Sequence, residues 1–226
     1  MVKASASAVT ATAAAAAHAS TPPSWRAAVQ RNLLRSWVKP LLFALCLLPF
    51  AWLLYGAIAN TLGANPAEAL LRSTGSWTLR FLCIVLAVTP LRQSLKLPIL
   101  ARFRRMLGLY VFFYACLHLL CYAWFDMGLD WSDIVADIPK RPFILVGFTS
   151  WLLLTLLAAT SPKFALKALG GKRWQWLHRT IYLIAPLVLL HFFWMRAGKN
   201  NFADVAVYAA ILGFLLLYRV FKAIKK

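Results

Sequence analysis

Long stretches without a formal charge constrain this sequence more than any other feature. Residues 40–67, 106–125 and 142–161 contain no Asp, Glu, Lys or Arg. A helix needs about 20 consecutive apolar residues to cross the hydrocarbon core of a bilayer, and each of these stretches is long enough to supply them. Hydrophobic residues make up 62% of the chain, whereas a soluble domain is about half apolar. The sequence therefore predicts a polytopic membrane protein.

Six predominantly apolar spans organise the chain. The predicted fold is all-α, a bundle of six transmembrane helices with both termini on one side of the membrane. Residues 1–37, which begin with an Ala-rich and Ser-rich run, are expected to form a disordered, basic tail in which His18 has no role. Residues 38–226 form the membrane domain. The predicted spans cover residues 40–60, 76–91, 106–125, 142–161, 178–195 and 202–221.

Turn formers and prolines predict two local features of this bundle. Gly63, Asn65 and Pro66 lie between the first two spans and predict a loop that extends to Gly75. Pro186 lies in the middle of the fifth span. Because proline removes a helical hydrogen bond, we expect a kink or an unwound turn there.

The charges are divided between the two sides of the membrane. All the acids fall in three alternate loops, whereas the other loops and the two termini carry only Lys and Arg. Basic loops of membrane proteins face the cytoplasm, which places both termini on that side. The net charge of +19 therefore reflects topology in a lipid bilayer, and a nucleic-acid partner is excluded. The acids are Glu68, Asp126, Asp130, Asp133, Asp137 and Asp204.

Two sets of side chains resemble metal ligands but favour a simpler interpretation. The four aspartates between residues 126 and 137 recur at helical spacing, which predicts a solvated helix face, since no other ligand type lies near them. The four cysteines lie inside apolar spans and form no CxxC pair, so they are expected to pack as small hydrophobic side chains. They are Cys46, Cys83, Cys116 and Cys121.

Three histidines lie in the spans, where polar side chains are costly and usually functional. His178 and His191 are 13 residues apart in the fifth span, about 20 Å along a helix, and His118 lies in the third span. Arg104 precedes His118 by 14 residues. If Arg104 and His178 are level, His118 and His191 are level too. Two neutral imidazoles at one depth on parallel helices can ligate a single haem iron from its two sides.

Each of these polar residues also has a purely structural explanation. A buried histidine can simply donate a hydrogen bond to a backbone carbonyl. On an ideal helix, 13 residues leave about 140° between two side chains, so His178 and His191 share a face only if the span is kinked. Arg80, about one turn into the second span, is either an interfacial arginine that reaches toward water or the partner of an anion such as a haem propionate.

Two sequence runs carry a resemblance to a known family. They are RRMLGLYVFFYACLH (104–118) and GGKRWQWLHRTIYL (170–183), and the histidine at 191 follows them at the family's spacing. Together with LGANPAEALLRSTG (62–75) and AVTPLR (87–92), they resemble the MsrQ family, formerly called YedZ. Its members are haem-binding membrane subunits of periplasmic methionine sulfoxide reductase systems, within the wider group of ferric reductase-like transmembrane domains. The resemblance covers residues 38–221.

The resemblance implies cofactors for particular residues. The wider group commonly holds two stacked b haems between two helices, with two histidines on each helix. This chain matches the outer pair with His118 and His191, whereas its inner site has His178 opposite Arg104. One haem b is therefore expected at the outer site. The inner site remains open to a second haem, to an anionic cofactor or to a quinone, and family members are also associated with FMN.

The resemblance also implies a function. Family members in the bacterial inner membrane pass electrons from the quinol pool or a cytosolic flavin reductase to MsrP, a periplasmic molybdopterin reductase. This chain contains no GxGxxG motif for a nucleotide cofactor, so electrons are expected to arrive from another molecule. The resemblance implies an electron-transfer subunit and not the catalytic subunit. The alternatives are a stand-alone ferric or quinone reductase and a haem-free, histidine-dependent transporter. The absence of Asp and Glu from the centre of every predicted span counts against the transporter.

Overall fold

A computed structural model of the chain describes residues 24–197 and 202–225. The predicted disordered tail lies mostly outside the described residues, as does His18. The chain divides into two compact units, Met1–Val38 and Lys39–Lys226. In the first unit, the described residues form helix α1, Ser24–Leu34, and the guanidinium of Arg26 lies 5.1 Å from the centre of the Trp25 ring.

The second unit consists of helices joined by turns and loops, with no β-strand in the part of the chain that the structure describes. Six of its helical segments are long and apolar enough to cross a membrane, which confirms the predicted all-α fold with six spans. Short turns and two shorter helices connect these segments. The helices are α2 (Val38–Ile58), α3 (Pro66–Ser94), α4 (Ala101–Cys121), α5 (Trp131–Lys140), α6 (Pro142–Ala159), α7 (Lys163–Leu169), α8 (Gly171–His178), α9 (Ile181–Ala197) and α10 (Ala203–Ile224).

The second span is longer than the sequence suggests, because α3 already begins at Pro66. The side chain of Asn65 accepts a hydrogen bond from the backbone N–H of Glu68 and so caps the helix, with Pro66 in its first turn. The prediction that the loop extends to Gly75 is therefore wrong. Asn and Pro favour turns and helix starts alike, and here they start a helix. The extra turns matter because they carry residues that contact His118.

The fifth span is interrupted, but not at the predicted proline. Helix α8 ends at His178, and α9 begins at Ile181. Pro186 lies inside α9 and does not end it. The helix between His178 and His191 is therefore interrupted at Arg179 and Thr180, and not at Pro186.

The four aspartates do not form one helical stripe. Asp126 ends a π-helical turn (Tyr122–Asp126) that follows α4, and Asp130 caps the start of α5. Only Asp133 and Asp137 lie on α5 itself, and the residues that the structure describes contain no cluster of three or more potential metal ligands. Gly128 and Leu129 adopt positive φ angles between these elements, which breaks the helical register that the spacing had predicted.

Aromatic packing fixes α4 in the centre of the bundle. The ring of Tyr114 is fully buried and stacks on Phe81 of α3 with ring centres 5.1 Å apart. Its hydroxyl donates to the backbone carbonyl of Cys46 in α2 over 2.8 Å. Tyr110, one turn away, donates to the carbonyl of Phe43. Packing and interhelical hydrogen bonds hold membrane helices together, and here they fix the face of α4 on which His118 follows Tyr114 by one turn.

Candidate metal centre

The imidazoles of His118 on α4 and His191 on α9 face each other inside the bundle. Their ring centres are 6.1 Å apart, and the ring planes are inclined at 79°. The two residues are 73 positions apart in sequence (191 − 118), so only the packing of the helices brings them together. The structure thus places these two histidines at one depth, opposite one another.

Each imidazole makes a similar hydrogen bond to a neighbouring helix. The Nδ1 of His118 lies 3.0 Å from the carbonyl oxygen of Leu71 on α3. The Nδ1 of His191 lies 2.6 Å from the carbonyl oxygen of Phe143 on α6. Because a carbonyl only accepts, we assign the proton of both neutral rings to Nδ1. Both Nε2 atoms then keep a free lone pair, which is the form of histidine that binds a metal.

A glycine lies against each of these imidazoles. A Cβ atom built at Gly75 of α3 would meet Cε1 of His118 at 3.0 Å, and one built at Gly147 of α6 would meet Nδ1 of His191 at 2.8 Å. Real Cβ atoms essentially never show a contact as short as the one at Gly147, and the one at Gly75 is tighter than nine in ten real Cβ contacts. The two rings therefore occupy space that any other residue at these positions would fill.

Both histidines line a cavity of about 370 Å³ between α3, α4, α6 and α9. Its wall is mostly apolar. Its apolar lining includes Leu79, Ala115, Leu119, Phe148, Leu154 and Val188. Three arginines also line it, namely Arg72 on α3, Arg196 on α9 and Arg141, which lies between α5 and α6. They lie toward the end of the bundle that carries the acidic loops, which we call the acidic end.

Each cavity-lining arginine has an acidic partner. Arg72 pairs with Glu68 over 2.6 Å, and Arg196 pairs with Asp204 over 3.0 Å. The third pair, Arg141 with Asp137, joins the end of α5 to the start of α6.

The pair formed by Arg141 and Asp137 includes a third group. The hydroxyl of Tyr122 donates to Asp137 over 2.6 Å. Hydrogen bonds from Arg141 and then from Tyr122 hold the pKa of the Asp137 carboxyl below its usual value. The carboxylate is therefore ionised when it holds these three elements together.

This site fits a haem better than a free metal ion. A structural metal usually takes four protein ligands and a catalytic one takes three, but the described residues offer no group of three or more His, Cys, Asp or Glu. Two opposed imidazoles suffice for haem iron. With metal–nitrogen bonds of about 2 Å, the ring centres of two axial imidazoles lie roughly 6 Å apart, close to the 6.1 Å observed. The apolar wall suits a porphyrin, and the arginines suit its two carboxylates.

Known proteins share this chain's sequence over most of its length. A family model described as "Ferric reductase like transmembrane component" matches residues 74–190. A protein of Polaromonas naphthalenivorans, named "Protein-methionine-sulfoxide reductase heme-binding subunit MsrQ", is 66% identical over 197 residues, which are 87% of this chain and 90% of the relative. The chain belongs to the MsrQ family.

Two further MsrQ relatives carry the same name at lower identity. The protein of Herminiimonas arsenicoxydans is 51% identical over 189 residues, 84% of this chain and 87% of the relative. The protein of Bordetella pertussis is 50% identical over 184 residues, 81% of this chain and 88% of the relative. No solved structure matches the chain.

The other two residues assigned to the inner site of this MsrQ family member also lie near each other. His178 stacks on Trp174 with ring centres 3.9 Å apart, and its Nε2 lies 3.2 Å from the hydroxyl of Thr160. Arg104 is close enough to interact electrostatically with His178 and with Arg219. None of these residues lines the cavity of His118 and His191. They form a separate cationic cluster toward the opposite end of the bundle, which we call the basic end.

Arg80 lies apart from both groups. Its Nε donates to the hydroxyl of Tyr208 on α10 over 3.3 Å, and its guanidinium lies 4.6 Å from the centre of the Trp77 ring. It does not line the cavity. The prediction that Arg80 meets a propionate therefore finds no counterpart at the site of His118 and His191, because the side chain is directed toward α10.

Five residues of this site were not predicted from the sequence: Gly75, Gly147, Arg72, Arg141 and Arg196. Gly75 and Arg72 were missed because they were placed in a loop. A signal was available for Arg196, which follows His191 by five residues and so lies between one and two turns further along the same helix. For Gly147 and Arg141 the sequence offers no signal, because their relation to His191 exists only after α6 and α9 pack together.

Proposed function

We propose that this chain is a membrane cytochrome b that holds one haem between His118 and His191 and passes electrons across the bacterial inner membrane to a methionine sulfoxide reductase. One observation carries the proposal. The two imidazoles face each other across an apolar cavity at 6.1 Å, each with Nδ1 bonded to a carbonyl and Nε2 free. The name of the relatives, a haem-binding subunit, supports the same cofactor.

The protein's own residues bind and orient this group. The carbonyls of Leu71 and Phe143 hold the two rings in the tautomer that ligates through Nε2. The mostly apolar wall would surround a bound haem with a medium of low dielectric constant, which affects its reduction potential. Bound haem supplies reversible one-electron redox chemistry.

Cavity-lining arginines, and not Arg80, would bind the propionates. Arg72, Arg141 and Arg196 line the cavity, and guanidinium groups bind carboxylates with paired hydrogen bonds. Each of the three already pairs with a carboxylate of the protein, which supports such a role. The propionates would then point toward the acidic end.

The electron donor and acceptor lie on opposite sides of the membrane in this proposal. The basic loops support an orientation in which the end with Arg104 and His178 lies in the cytoplasm and the acidic end in the periplasm. Electrons would enter from the quinol pool or a cytosolic flavin reductase and leave to MsrP, a periplasmic molybdopterin enzyme that carries out the sulfoxide chemistry. The naming of the relatives after a methionine sulfoxide reductase supports this assignment. The chain itself would be an electron-transfer subunit.

A second electron carrier would bind at the basic end, near Arg104 and His178. Arg104 carries a positive charge, and Arg219 adds a second cation nearby, so the cluster suits an anionic or electron-accepting group. The candidates are a second haem, FMN and a quinone. Haem-to-protein ratio, flavin fluorescence after denaturation and solvent extraction of quinone from the purified protein distinguish the three, and an Arg104→Gln variant should lose the group concerned.

A stand-alone ferric or quinone reductase is the second candidate function, and the match to a ferric reductase-like model favours it. The two functions differ in their acceptor. In the proposed function, chemically reduced protein reoxidises rapidly when purified MsrP and methionine sulfoxide are added, and slowly with ferric citrate alone. The reverse order of rates would support the alternative.

Reduced-minus-oxidised spectra test the haem assignment most directly. Protein purified in detergent should show a b-type haem, quantified as its pyridine haemochrome. His118→Ala and His191→Ala should each lose this haem, whereas His178→Ala should retain it because His178 lies outside the cavity. Wild-type protein that binds no haem even after supplementation would refute the cytochrome assignment.

A further inference from the structure

The two histidines of the cavity share an environment built from one repeated arrangement. His118 bonds the carbonyl of Leu71, and its ring lies against Gly75, four residues further along α3. His191 bonds the carbonyl of Phe143, and its ring lies against Gly147, four residues further along α6. In both cases an imidazole from another helix bonds a backbone carbonyl and lies against a glycine one turn further along the helix that carries this carbonyl.

Helix geometry explains why the carbonyl and the glycine are four residues apart. In an α-helix, the carbonyl of one residue accepts the N–H of the residue four positions later. A side chain that also bonds this carbonyl must approach it from outside the helix, over the residue that closes the turn. A Cβ at that residue would occupy the same space as the ring. Glycine is the residue that leaves this approach open.

Close packing of helices is the ordinary reason for glycine in a membrane helix, but it does not describe these two positions. The three atoms nearest to a Cβ at Gly75 all belong to the His118 ring, and the three nearest to a Cβ at Gly147 all belong to the His191 ring. By contrast, a Cβ at Gly108 of α4 or Gly213 of α10 would meet nothing within 4 Å. The glycines of the cavity therefore make room for imidazoles and not for a neighbouring helix.

We infer that Gly75 and Gly147 are positioning residues that set the orientation and the hydrogen bonding of the two axial ligands, and through them the redox potential of the centre. This inference rests on the proposed function, because it assigns the two imidazoles to a haem iron. The remaining ring proton, donated to a carbonyl, makes the ligating nitrogen more basic and stabilises the oxidised iron. A substitution that displaces the ring from its carbonyl should therefore raise the potential.

The contact distances predict a graded effect. At Gly147 the added Cβ would lie 2.8 Å from Nδ1 and 2.9 Å from Cε1 of His191, so the ring must leave its present place. At Gly75 the nearest distances are 3.0 and 3.1 Å, which a small displacement of His118 can relieve. Gly147→Ala should therefore shift the potential further toward positive values than Gly75→Ala does.

Alanine variants of four helical glycines test the inference in the full-length, haem-loaded protein. Redox titration and low-temperature electron paramagnetic resonance (EPR) are measured for Gly75→Ala and Gly147→Ala, with Gly108→Ala and Gly213→Ala as matched controls. We expect a more positive potential and an altered low-spin signal in the first two variants, and wild-type values in both controls. Unchanged potential and spectrum in haem-loaded Gly147→Ala would overturn the inference, whereas haem retained in His118→Ala and His191→Ala would overturn the proposed function instead.

A double variant decides the case in which Gly147→Ala does not fold. Gly147→Ala combined with His191→Ala removes the ring that the new Cβ would meet. If the glycine serves the imidazole alone, the double variant folds as well as His191→Ala, judged by its yield and by a single symmetric peak in size-exclusion chromatography. If the double variant also fails to fold, Gly147 is needed for helix packing and the inference is wrong.

Discussion

The ring planes of His118 and His191 cross at 79°. Each plane is set by a different helix, since one ring bonds a carbonyl of α3 and the other a carbonyl of α6. When two axial imidazoles are nearly perpendicular, the dxz and dyz orbitals of the iron have almost the same energy. This gives a highly anisotropic low-spin EPR signal. We therefore expect the oxidised haem protein to show a single feature at large g in place of a resolved rhombic spectrum. A rhombic spectrum, typical of parallel rings, would mean that the rings rotate when the haem binds.

Thr74 competes with His118 for the carbonyl of Leu71. Its hydroxyl donates to that carbonyl over 3.0 Å and to the carbonyl of Leu70 over 2.8 Å. Thr74→Val removes this donor and leaves His118 as the single side chain bonded to Leu71. The imidazole should then bond more strongly, and the potential of the haem should fall, opposite in sign to the effect of Gly75→Ala.

A matched threonine provides the control for this prediction. Thr155 of α6 also donates its hydroxyl to a carbonyl one turn earlier, that of Trp151, and it does not line the cavity. Thr155→Val should leave the potential of the haem at its wild-type value in the same redox titration. A potential that rises in Thr74→Val, or that moves equally in both variants, contradicts the competition.

The sequence predicted the helical spans well but the contacts between helices poorly. The six spans follow from the length of predominantly apolar stretches, which the membrane imposes on any helical chain. The level placement of His118 and His191 follows from residue counts along two helices that start at the same side. Gly147 could not be found in this way, because it meets His191 only through the packing of α6 against α9. Nor could the true start of α3, since the same Asn-Pro pair can form a turn or begin a helix.

Asp137 should stabilise the protein only where its carboxyl is ionised. Hydrogen bonds from Arg141 and Tyr122 hold its pKa below the ordinary value of 3.8. A lowered pKa in the folded state gives stability that is present above the unfolded value and lost as the pH falls through the folded value. Asp137→Asn should therefore lower the melting temperature in detergent at pH 5 to 7, and the difference from wild type should shrink as the pH falls below about 3.8.

Asp133 provides the control for this pH dependence, because it lies exposed on the same helix α5. Asp133→Asn should change the melting temperature little at any pH. Tyr122→Phe should reproduce part of the effect of Asp137→Asn, since it removes one of the two groups that bond the carboxylate. A difference between wild type and Asp137→Asn that persists undiminished below pH 3 would show that the aspartate acts by packing and not by its charge.

Haem affinity should distinguish the arginines of the cavity from Arg80. Of the three arginines that line the cavity, Arg196 has the least exposed side chain, at 20%, and Arg72 has the most exposed, at 46%. A hydrogen bond to a charged group contributes about 1.5–3 kcal/mol, or roughly tenfold or more in affinity. Arg196→Gln should therefore weaken haem binding by about tenfold, Arg72→Gln by less, and Arg80→Gln not at all.

Haem dimethyl ester, which lacks both carboxylates, tests whether the loss occurs at the propionates. Apoprotein reconstituted with the ester should bind it more weakly than haem, and Arg196→Gln should weaken the ester no further, because the interaction that the variant removes is already absent. Binding is followed by the rise of the Soret band during titration. If Arg196→Gln weakens haem and its ester equally, the arginine supports the fold of the cavity and does not contact a propionate. The pair with Asp204 is then the interaction that the variant disrupts, and Asp204→Asn should weaken both ligands to the same extent.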